Sequence, residues 1–227
     1  MQRPITVAIS GFTSEVGKTT VMCHLLAALP GWEAIKTTRG HYRSCGKDPH
    51  TCCVSHLLTD EPVIRSGREA TYSVGKDTGR YWDAGAANVH WLIVTEEQVE
   101  EGIKRAMERV TAPGVFIEGN SCAEFVPVDF MLMVARAEGE KIKSSARRAL
   151  RRASGLYLSE PTDSFPRPEA NVPDATEQDG SAARERFANW RERTCLEGLR
   201  SDLPIYTRGD LPQLVSELLR IHQAFAA

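Results

Sequence analysis

The chain has 227 residues, of which 41% are hydrophobic, and a formal net charge of -2. This length favours one domain, or one domain with an insertion, and is ample to bury a core. The balanced charge gives no reason to expect nucleic-acid binding, no apolar run is long enough to cross a membrane, and no signal-peptide region opens the chain, so we expect a cytoplasmic protein.

The first predicted strand leads into a glycine-bearing loop and then a helix. Residues 5–10 form an apolar run, residues 18–29 carry apolar side chains at helical spacing, and Gly17-Lys18-Thr19 lies between them. This context is typical of a phosphate-binding loop, whose backbone N–H groups and helix N-terminus bind anions. Lys18 would contact the β- and γ-phosphates, and Thr19 would contact Mg²⁺. The predicted nucleotide-binding residues are Thr13, Ser14, Glu15, Val16, Gly17, Lys18, Thr19 and Thr20.

The spacing of the loop glycines departs from the usual pattern. Five residues separate Gly11 from Gly17, whereas the common motif has four. Phe12 therefore stands where the first glycine is expected. A chance Gly-Lys-Thr in a strand–helix turn is the alternative to a phosphate-binding loop.

Residues 33–38 are the second predicted strand and end in polar side chains. Ligands bind at the carboxyl ends of the strands in open α/β sheets. We therefore expect Lys36 to have a catalytic role, and Lys36 and Thr37 to contact a second, anionic ligand. A solvated lysine at the strand end is the alternative.

Residues 40–60 form a loop rich in cysteine and histidine. Thiolates and imidazoles are ligands of Zn²⁺ and of Fe–S clusters, so Cys45, His50 and Cys52 are candidate ligands. The spacing fits no standard ligand pair, and a redox thiol pair or a substrate loop with incidental cysteines would explain it as well.

Apolar and polar side chains alternate over residues 70–74, which predicts a short strand. A charged loop follows it and leads into a predicted short helix. Asp77 and Thr78 are suited to cap that helix. Lys76 and Arg80 supply positive charge for a phosphate or carboxylate. Lys76, Asp77 and Arg80 thus complete the predicted second-ligand site, with a solvated turn as the alternative.

Residues 114–120 read as a buried strand that ends in Glu118, after a predicted strand over 89–94 and a helix over 96–110. Mg²⁺ in nucleotide sites takes one or two carboxylates besides phosphate oxygens and water. We therefore predict that Glu118 binds Mg²⁺ with Thr19 and takes part in catalysis.

The last third of the chain predicts a strand over 129–135, a basic helix over 139–153 and a strand over 156–158. We interpret the basic side of this helix as a solvated face, with binding of an acidic partner or a phosphate as the alternative. Residues 160–200 look like an insertion, with four prolines over 160–180 and a helix over 181–199. An edge strand over 203–206 and a closing helix capped by Asp210 follow. The alternation of strands and helices predicts an α/β fold, a mostly parallel sheet of about seven strands with helices on both faces, in a single domain spanning 1–227.

Two families share these motifs. Residues 13–19 resemble the loop of dethiobiotin synthetase, whose glycine is also one residue early. Gly75-Lys76-Asp77-Thr78 with Arg80, then Ala84-Gly85-Ala86, a strand and Glu118-Gly119, resemble the molybdopterin-guanine dinucleotide biosynthesis protein B family over about residues 5–158, with a weaker echo at 203–222. Both belong to the dimeric SIMIBI class of P-loop NTPases, so the resemblance implies a homodimer.

The resemblance implies an Mg²⁺-dependent NTPase that binds ATP or GTP, with Lys18, Lys36 and Glu118 as its catalytic residues. The nearer family binds GTP and assists nucleotide attachment to the molybdenum cofactor. No Asn/Thr-Lys-x-Asp motif follows the strand at 156–158, so the base stays open, and loops 159–161 and 207–209 are the candidates to hold it. Three alternatives remain: an ATP-dependent ligase or kinase acting on a carboxylate, a metal-delivery GTPase using the Cys/His segment, and a nucleotide-sensing adaptor.

Overall fold

The computed structural model describes residues 3–40, 54–139, 141–161, 180–194 and 198–226. Within these ranges the strands are β1 (Ile5–Gly11), β2 (Glu33–Arg39), β3 (Val63–Ser66), β4 (Val89–Val94), β5 (Gly114–Glu118), β6 (Phe130–Arg136), β7 (Gly155–Ser159) and β8 (Ile205–Tyr206). The helices are α1 (Lys18–Ala28), α2 (Arg68–Thr71), α3 (Asp77–Asp83), α4 (Val99–Met107), α5 (Cys122–Phe125), α6 (Ser144–Leu150), α7 (Ser181–Thr194) and α8 (Leu211–Ala226).

The strands form one sheet in the order β3-β4-β2-β5-β1-β6-β7-β8. Every neighbouring pair is parallel except β3 and β4, which are antiparallel. The predicted α/β class is confirmed; the described sheet has eight strands where about seven were expected, and β3 is an antiparallel edge. The edge position predicted for the strand near residue 205 is also confirmed.

Helices cover both faces of the sheet. Successive side chains of the central strands point to opposite faces, and both sets are apolar, so both faces must be buried. Ala8 of β1 packs in a core with α4, α6 and α7. Its neighbours Val7 and Ile9 pack in a second core with α1, α3 and α8.

The pairing register brings three functional candidates to one level at the carboxyl edge of the sheet. Glu118 of β5 pairs with Ile9 of β1 on one side and with Lys36 of β2 on the other. The loop that follows β1 therefore starts beside Glu118, and Lys36 lies one strand further away.

Four local predictions were wrong. The basic helix expected over 139–153 is shorter and forms α6, Ser144–Leu150. Residues 68–71 form the short helix α2, and the strand of this region is β3, which lies earlier in the chain. Asp77 does not cap α3: the N-cap residue is Lys76, without a side-chain cap bond, because the Asp77 carboxylate is held by Lys36. The helix expected over 181–199 does not include residues 198 and 199, and its described part is α7, Ser181–Thr194.

None of the described helices combines the length and the apolar content that crossing a bilayer requires.

Candidate functional site

The loop between β1 and α1 depends on two glycines. A Cβ on Gly11 would lie 2.6 Å from Cγ1 of Val16, so a larger residue there would collide with the returning loop. Gly17 has a φ of 95°, which side chains other than glycine rarely adopt. These constraints explain why glycine stands at positions 11 and 17.

Phe12 anchors the loop to the core instead of lining it. Its side chain is fully buried, and its ring centroid lies 6.4 Å from that of Phe187 and 6.1 Å from that of Trp190, both on α7. Its carbonyl accepts a hydrogen bond from the Lys143 backbone N–H at 3.0 Å. The aromatic residue at the usual glycine position therefore fixes where the loop leaves the sheet.

Three cationic side chains hold the loop. Lys18 Nζ donates to the Thr13 carbonyl at 2.9 Å, Lys143 Nζ donates to Ser14 Oγ at 2.6 Å, and Arg136 donates to the Glu15 carbonyl at 2.8 Å. Burial lowers the pKa of Lys18, and the nearby ammonium groups of Lys36 and Lys143 lower it further against the opposing effect of Glu118. An anion in the loop would relieve this repulsion between cations.

Oxygen atoms of Thr19, Asp77 and Glu118 converge beside the loop. Thr19 Oγ1 lies 3.1 Å from Asp77 Oδ1 and 3.1 Å from Glu118 Oε2. The buried hydroxyl of Tyr81, which belongs to the same helix as Asp77, donates to Glu118 Oε2. These contacts join residues 58 and 99 positions apart in the chain.

Lys36 contacts the carboxylates of Asp77 and Glu118 through the oxygens that do not face Thr19. Its Nζ lies 2.6 Å from Asp77 Oδ2 and 2.6 Å from Glu118 Oε1. Burial alone would lower the pKa of Lys36, but Glu118 and Asp77 outweigh it and raise the pKa. Burial alone would likewise raise the pKa of Asp77, but Lys36 lowers it. Both groups are therefore charged at neutral pH.

The donor set of one hydroxyl and two carboxylates is chemically suited to Mg²⁺, which prefers oxygen ligands. Among the described residues no three His, Cys, Asp or Glu side chains are grouped as a metal site. The predicted Zn or Fe–S ligands Cys45, His50 and Cys52 lie outside the described residues, so that prediction is untested.

A cavity of about 740 Å³ brings most of the predicted residues together. It is lined by Thr13, Ser14, Glu15, Gly17, Lys18, Thr19, Thr20, Lys36, Thr37, Asp77, Arg80 and Glu118 from the predicted set. Val16 is buried in the core behind the loop, and Lys76 is exposed and does not line this cavity. Arg80 donates to Thr20 Oγ1 at 3.1 Å, which fixes its guanidinium beside α1.

The far end of this cavity, beyond Glu118, combines polar and apolar groups. The hydroxyl oxygen of Thr37 is buried and has no hydrogen-bond partner within the described ranges. Arg39 forms an ion pair with Glu96 at 2.6 Å and donates to Ser121 Oγ. The apolar side of this end is formed by Val99 and Ile103 of α4.

A second cavity of about 150 Å³ shares Glu15, Gly17 and Thr20 with the larger one. Its other walls include Tyr157, Ser159 and Glu160 at the end of β7. Loop 159–161 therefore reaches the phosphate-binding loop, whereas Arg208 of loop 207–209 does not line this cavity and lies 3.0 Å from His24.

Sequence reasoning missed Arg39, Tyr81 and Asn120. Asn120 donates to the Gly11 carbonyl at 3.1 Å and accepts from the Gly11 N–H at 2.9 Å, and its place after the end of β5 was an available signal. Tyr81 follows Asp77 by four residues on α3, so helical spacing already placed it on the same side. Lys143 belongs to the basic segment for which phosphate binding was the alternative interpretation, and its contact with Ser14 brings it to the loop.

No protein-family model matches the sequence, and no curated protein matches it. Among solved structures, the chain is similar to the "apo" form of LpxK from Aquifex aeolicus in complex with ATP: identity is 14%, the TM-score is 0.43, and the match covers 91% of this chain and 71% of that one. A plasmid partition protein from Borrelia burgdorferi matches at 10% identity and a TM-score of 0.35, over 99% of each chain. Similarity at this level carries no argument about function, so the function is inferred from the residues themselves.

Proposed function

We propose that this protein binds ATP or GTP together with Mg²⁺ and hydrolyses the nucleotide or transfers its terminal phosphoryl group. One observation carries the proposal: the hydroxyl of Thr19 lies 3.1 Å from carboxylate oxygens of both Asp77 and Glu118. All three line the same cavity as Lys18. This is the combination of oxygen ligands and a lysine that a Mg²⁺–nucleotide requires.

Each residue would have a separate role in binding. Backbone N–H groups of residues 13–19 and the N-terminus of α1 would bind the phosphates. Lys18 would exchange the Thr13 carbonyl for a phosphate oxygen. Thr19, Asp77 and Glu118 would hold Mg²⁺, which supplies charge neutralisation at the phosphate oxygens.

The small cavity at the end of β7 suggests where the base binds. Tyr157 and Glu160 line it next to Gly17. A base placed there would continue directly from phosphates held by the loop. Because the guanine-recognition motif is missing from this strand end, ATP and GTP are both candidates.

The far end of the large cavity favours phosphoryl transfer to a small acid as a second candidate reaction. Thr37 on β2 belongs to the second strand from β1, a distance of about 10 Å at the usual strand spacing. That distance leaves room for another molecule beyond the phosphates. Arg39 could bind its anionic group, Thr37 could form a hydrogen bond to it, and Val99 and Ile103 could contact an apolar part.

Other implications of the family resemblance are proposals as well. They are the molybdenum-cofactor role, the homodimer and the cytoplasmic location. The metal-delivery alternative depends on Cys45, His50 and Cys52, and metal analysis of protein prepared with Zn²⁺, Ni²⁺ and iron supplied would test it.

Calorimetric titration with Mg²⁺–ATP and Mg²⁺–GTP tests the proposed function. The wild type should bind at least one nucleotide, and Lys18→Met should bind it at least about tenfold more weakly, because a charge-assisted phosphate contact is lost. Lys104→Met is the matched control, since Lys104 is exposed on α4 and pairs with Glu100. Absence of binding to the wild type, or equal binding by Lys18→Met, contradicts the proposal.

Hydrolysis and phosphoryl transfer are distinguished by whether release of ADP or GDP needs an acceptor. Release of ADP or GDP without any acceptor indicates hydrolysis. Release that requires a member of a panel of small carboxylic acids indicates transfer.

A further inference from the structure

We propose that Lys36 makes the metal site dependent on nucleotide: its ammonium offsets the charge of Asp77 and Glu118, so these carboxylates retain a divalent cation only when nucleotide phosphates are also bound. This inference rests on the proposed function of the same site. It differs from the sequence-based expectation that Lys36 contacts an anionic ligand.

The geometry divides the carboxylate oxygens between Lys36 on one side and Thr19 on the other, where Tyr81 also donates to Glu118. Lys36 Nζ lies 2.6 Å from Oδ2 of Asp77 and 2.6 Å from Oε1 of Glu118. Thr19 Oγ1 faces the remaining oxygens, Oδ1 and Oε2, at 3.1 Å each. Lys36 therefore contacts both acids at once without using the oxygens that face Thr19.

The position of Lys36 is built into the fold. Its backbone pairs with Glu118 across β2 and β5, and its side chain is only 17% exposed, compared with 40% for Asp77. An ammonium that is mostly shielded between two carboxylates is screened less by solvent than a surface charge, so its charge acts on a nearby cation.

The local charges disfavour a free divalent cation. Five cationic side chains line the cavity, against the three carboxylates of Glu15, Asp77 and Glu118; the cations are Lys18, Lys36, Arg39, Arg80 and Lys143. Arg80 is directed to Thr20 and Lys18 to Thr13, so Lys36 is the cation that contacts both acids directly. A nucleotide would add several negative charges to this site and reverse the balance in favour of the metal.

Titration with Mn²⁺ alone, followed by electron paramagnetic resonance, tests this inference. Mn²⁺ should bind Lys36→Met at least about tenfold more tightly than the wild type, because the repulsion by a neighbouring ammonium is removed. Lys36→Arg keeps the charge and should bind Mn²⁺ as weakly as the wild type. Lys104→Met serves as the surface control and should also match the wild type.

A second measurement uses only the wild type and does not depend on how the variants fold. Mn²⁺ affinity should rise at least about tenfold when a non-hydrolysable ATP or GTP analogue is present. Equal Mn²⁺ affinity with and without the analogue overturns the inference, and so does a Lys36→Met protein that binds Mn²⁺ no more tightly than the wild type. Failure of the proposed function gives a different result, since the analogue itself would then bind neither with nor without metal.

Discussion

Strand β2 takes part in two polar networks, a buried one through Glu33 at its start and one that lines a cavity through Lys36 nearer its end. Glu33 is 2% exposed. Its Oε1 accepts from the Thr111 N–H and hydroxyl and from the Ala112 N–H, at 2.9–3.2 Å. Its Oε2 lies 2.8 Å from Nε2 of His90, whose Nδ1 lies 2.8 Å from Ser66 Oγ.

The two networks differ in whether a ligand can reach their carboxylates. We call the network of Glu33 closed and that of Lys36, Asp77 and Glu118 open. At Glu33 both carboxylate oxygens are satisfied by the protein, and no described cavity is lined by it. At Lys36 the carboxylates of Asp77 and Glu118 face a large cavity together with Thr19. A closed polar network stabilises a fold, whereas a network open to a cavity retains the capacity to bind a ligand.

The largest expected effect of a variant in the open network is on activity. We expect Glu118→Gln to lower the rate of nucleotide turnover about 100-fold, equivalent to about 2.7 kcal/mol of activation free energy, because a carboxylate beside the metal position is lost. The unfolding free energy should change less than in Glu33→Gln, since Lys36 keeps Asp77 as a partner. Steady-state phosphate release and urea denaturation measure the two quantities.

Glu100→Gln is the matched control for this variant. Glu100 is an exposed carboxylate on α4 that pairs with Lys104, so its loss should leave turnover unchanged. A Glu118→Gln protein with turnover within threefold of the wild type would show that the open network does not serve catalysis.

A variant of the closed network should instead affect stability. We expect Glu33→Gln to lower the unfolding free energy by about 3 kcal/mol, because an amide nitrogen replaces an oxygen that accepts buried hydrogen bonds. Nucleotide affinity of the folded protein should stay within twofold of the wild type. A change in unfolding free energy below about 0.5 kcal/mol would show that the network is not stabilising.

The closed network should also make the unfolding free energy depend on pH in the acidic range. Burial alone would raise the pKa of Glu33, but hydrogen bonds from His90 and Thr111 outweigh it and lower the pKa. A lowered carboxylate pKa gives stability that is fully present above the ordinary glutamate pKa and is lost as the pH falls towards the folded-state value. Urea titrations over this acidic range should therefore show a smaller loss of stability in Glu33→Gln than in the wild type.

Local sequence patterns predicted the parts of the fold and site that depend on neighbouring residues. The strand before the loop, the helix from Lys18 and the strand ending at Glu118 follow from apolar periodicity and glycine placement, and the structure has all three. The strand-end rule also placed Lys36 and Glu118 at one edge of the sheet. The pairing of Lys36 with Glu118 confirms that placement.

The remaining features depend on contacts between distant residues. Phe12 packs on Phe187 and Trp190 of α7, in a segment that the sequence suggests is an insertion. Asp77 looked like a helix cap, but Lys36, 41 positions earlier in the chain, holds its carboxylate. No local sequence pattern predicts partners this far apart. The structure was therefore needed to show that Lys36 and Thr19 contact different oxygens of Asp77 and Glu118.

A crystal structure with Mg²⁺ and a non-hydrolysable ATP or GTP analogue would test the account most directly. We expect the phosphates on the backbone N–H groups of residues 13–19, with Lys18 turned from the Thr13 carbonyl to a phosphate oxygen. Mg²⁺ should lie between Thr19 and the carboxylates of Asp77 and Glu118. A nucleotide bound elsewhere, with the Lys18–Thr13 contact unchanged, would contradict the account.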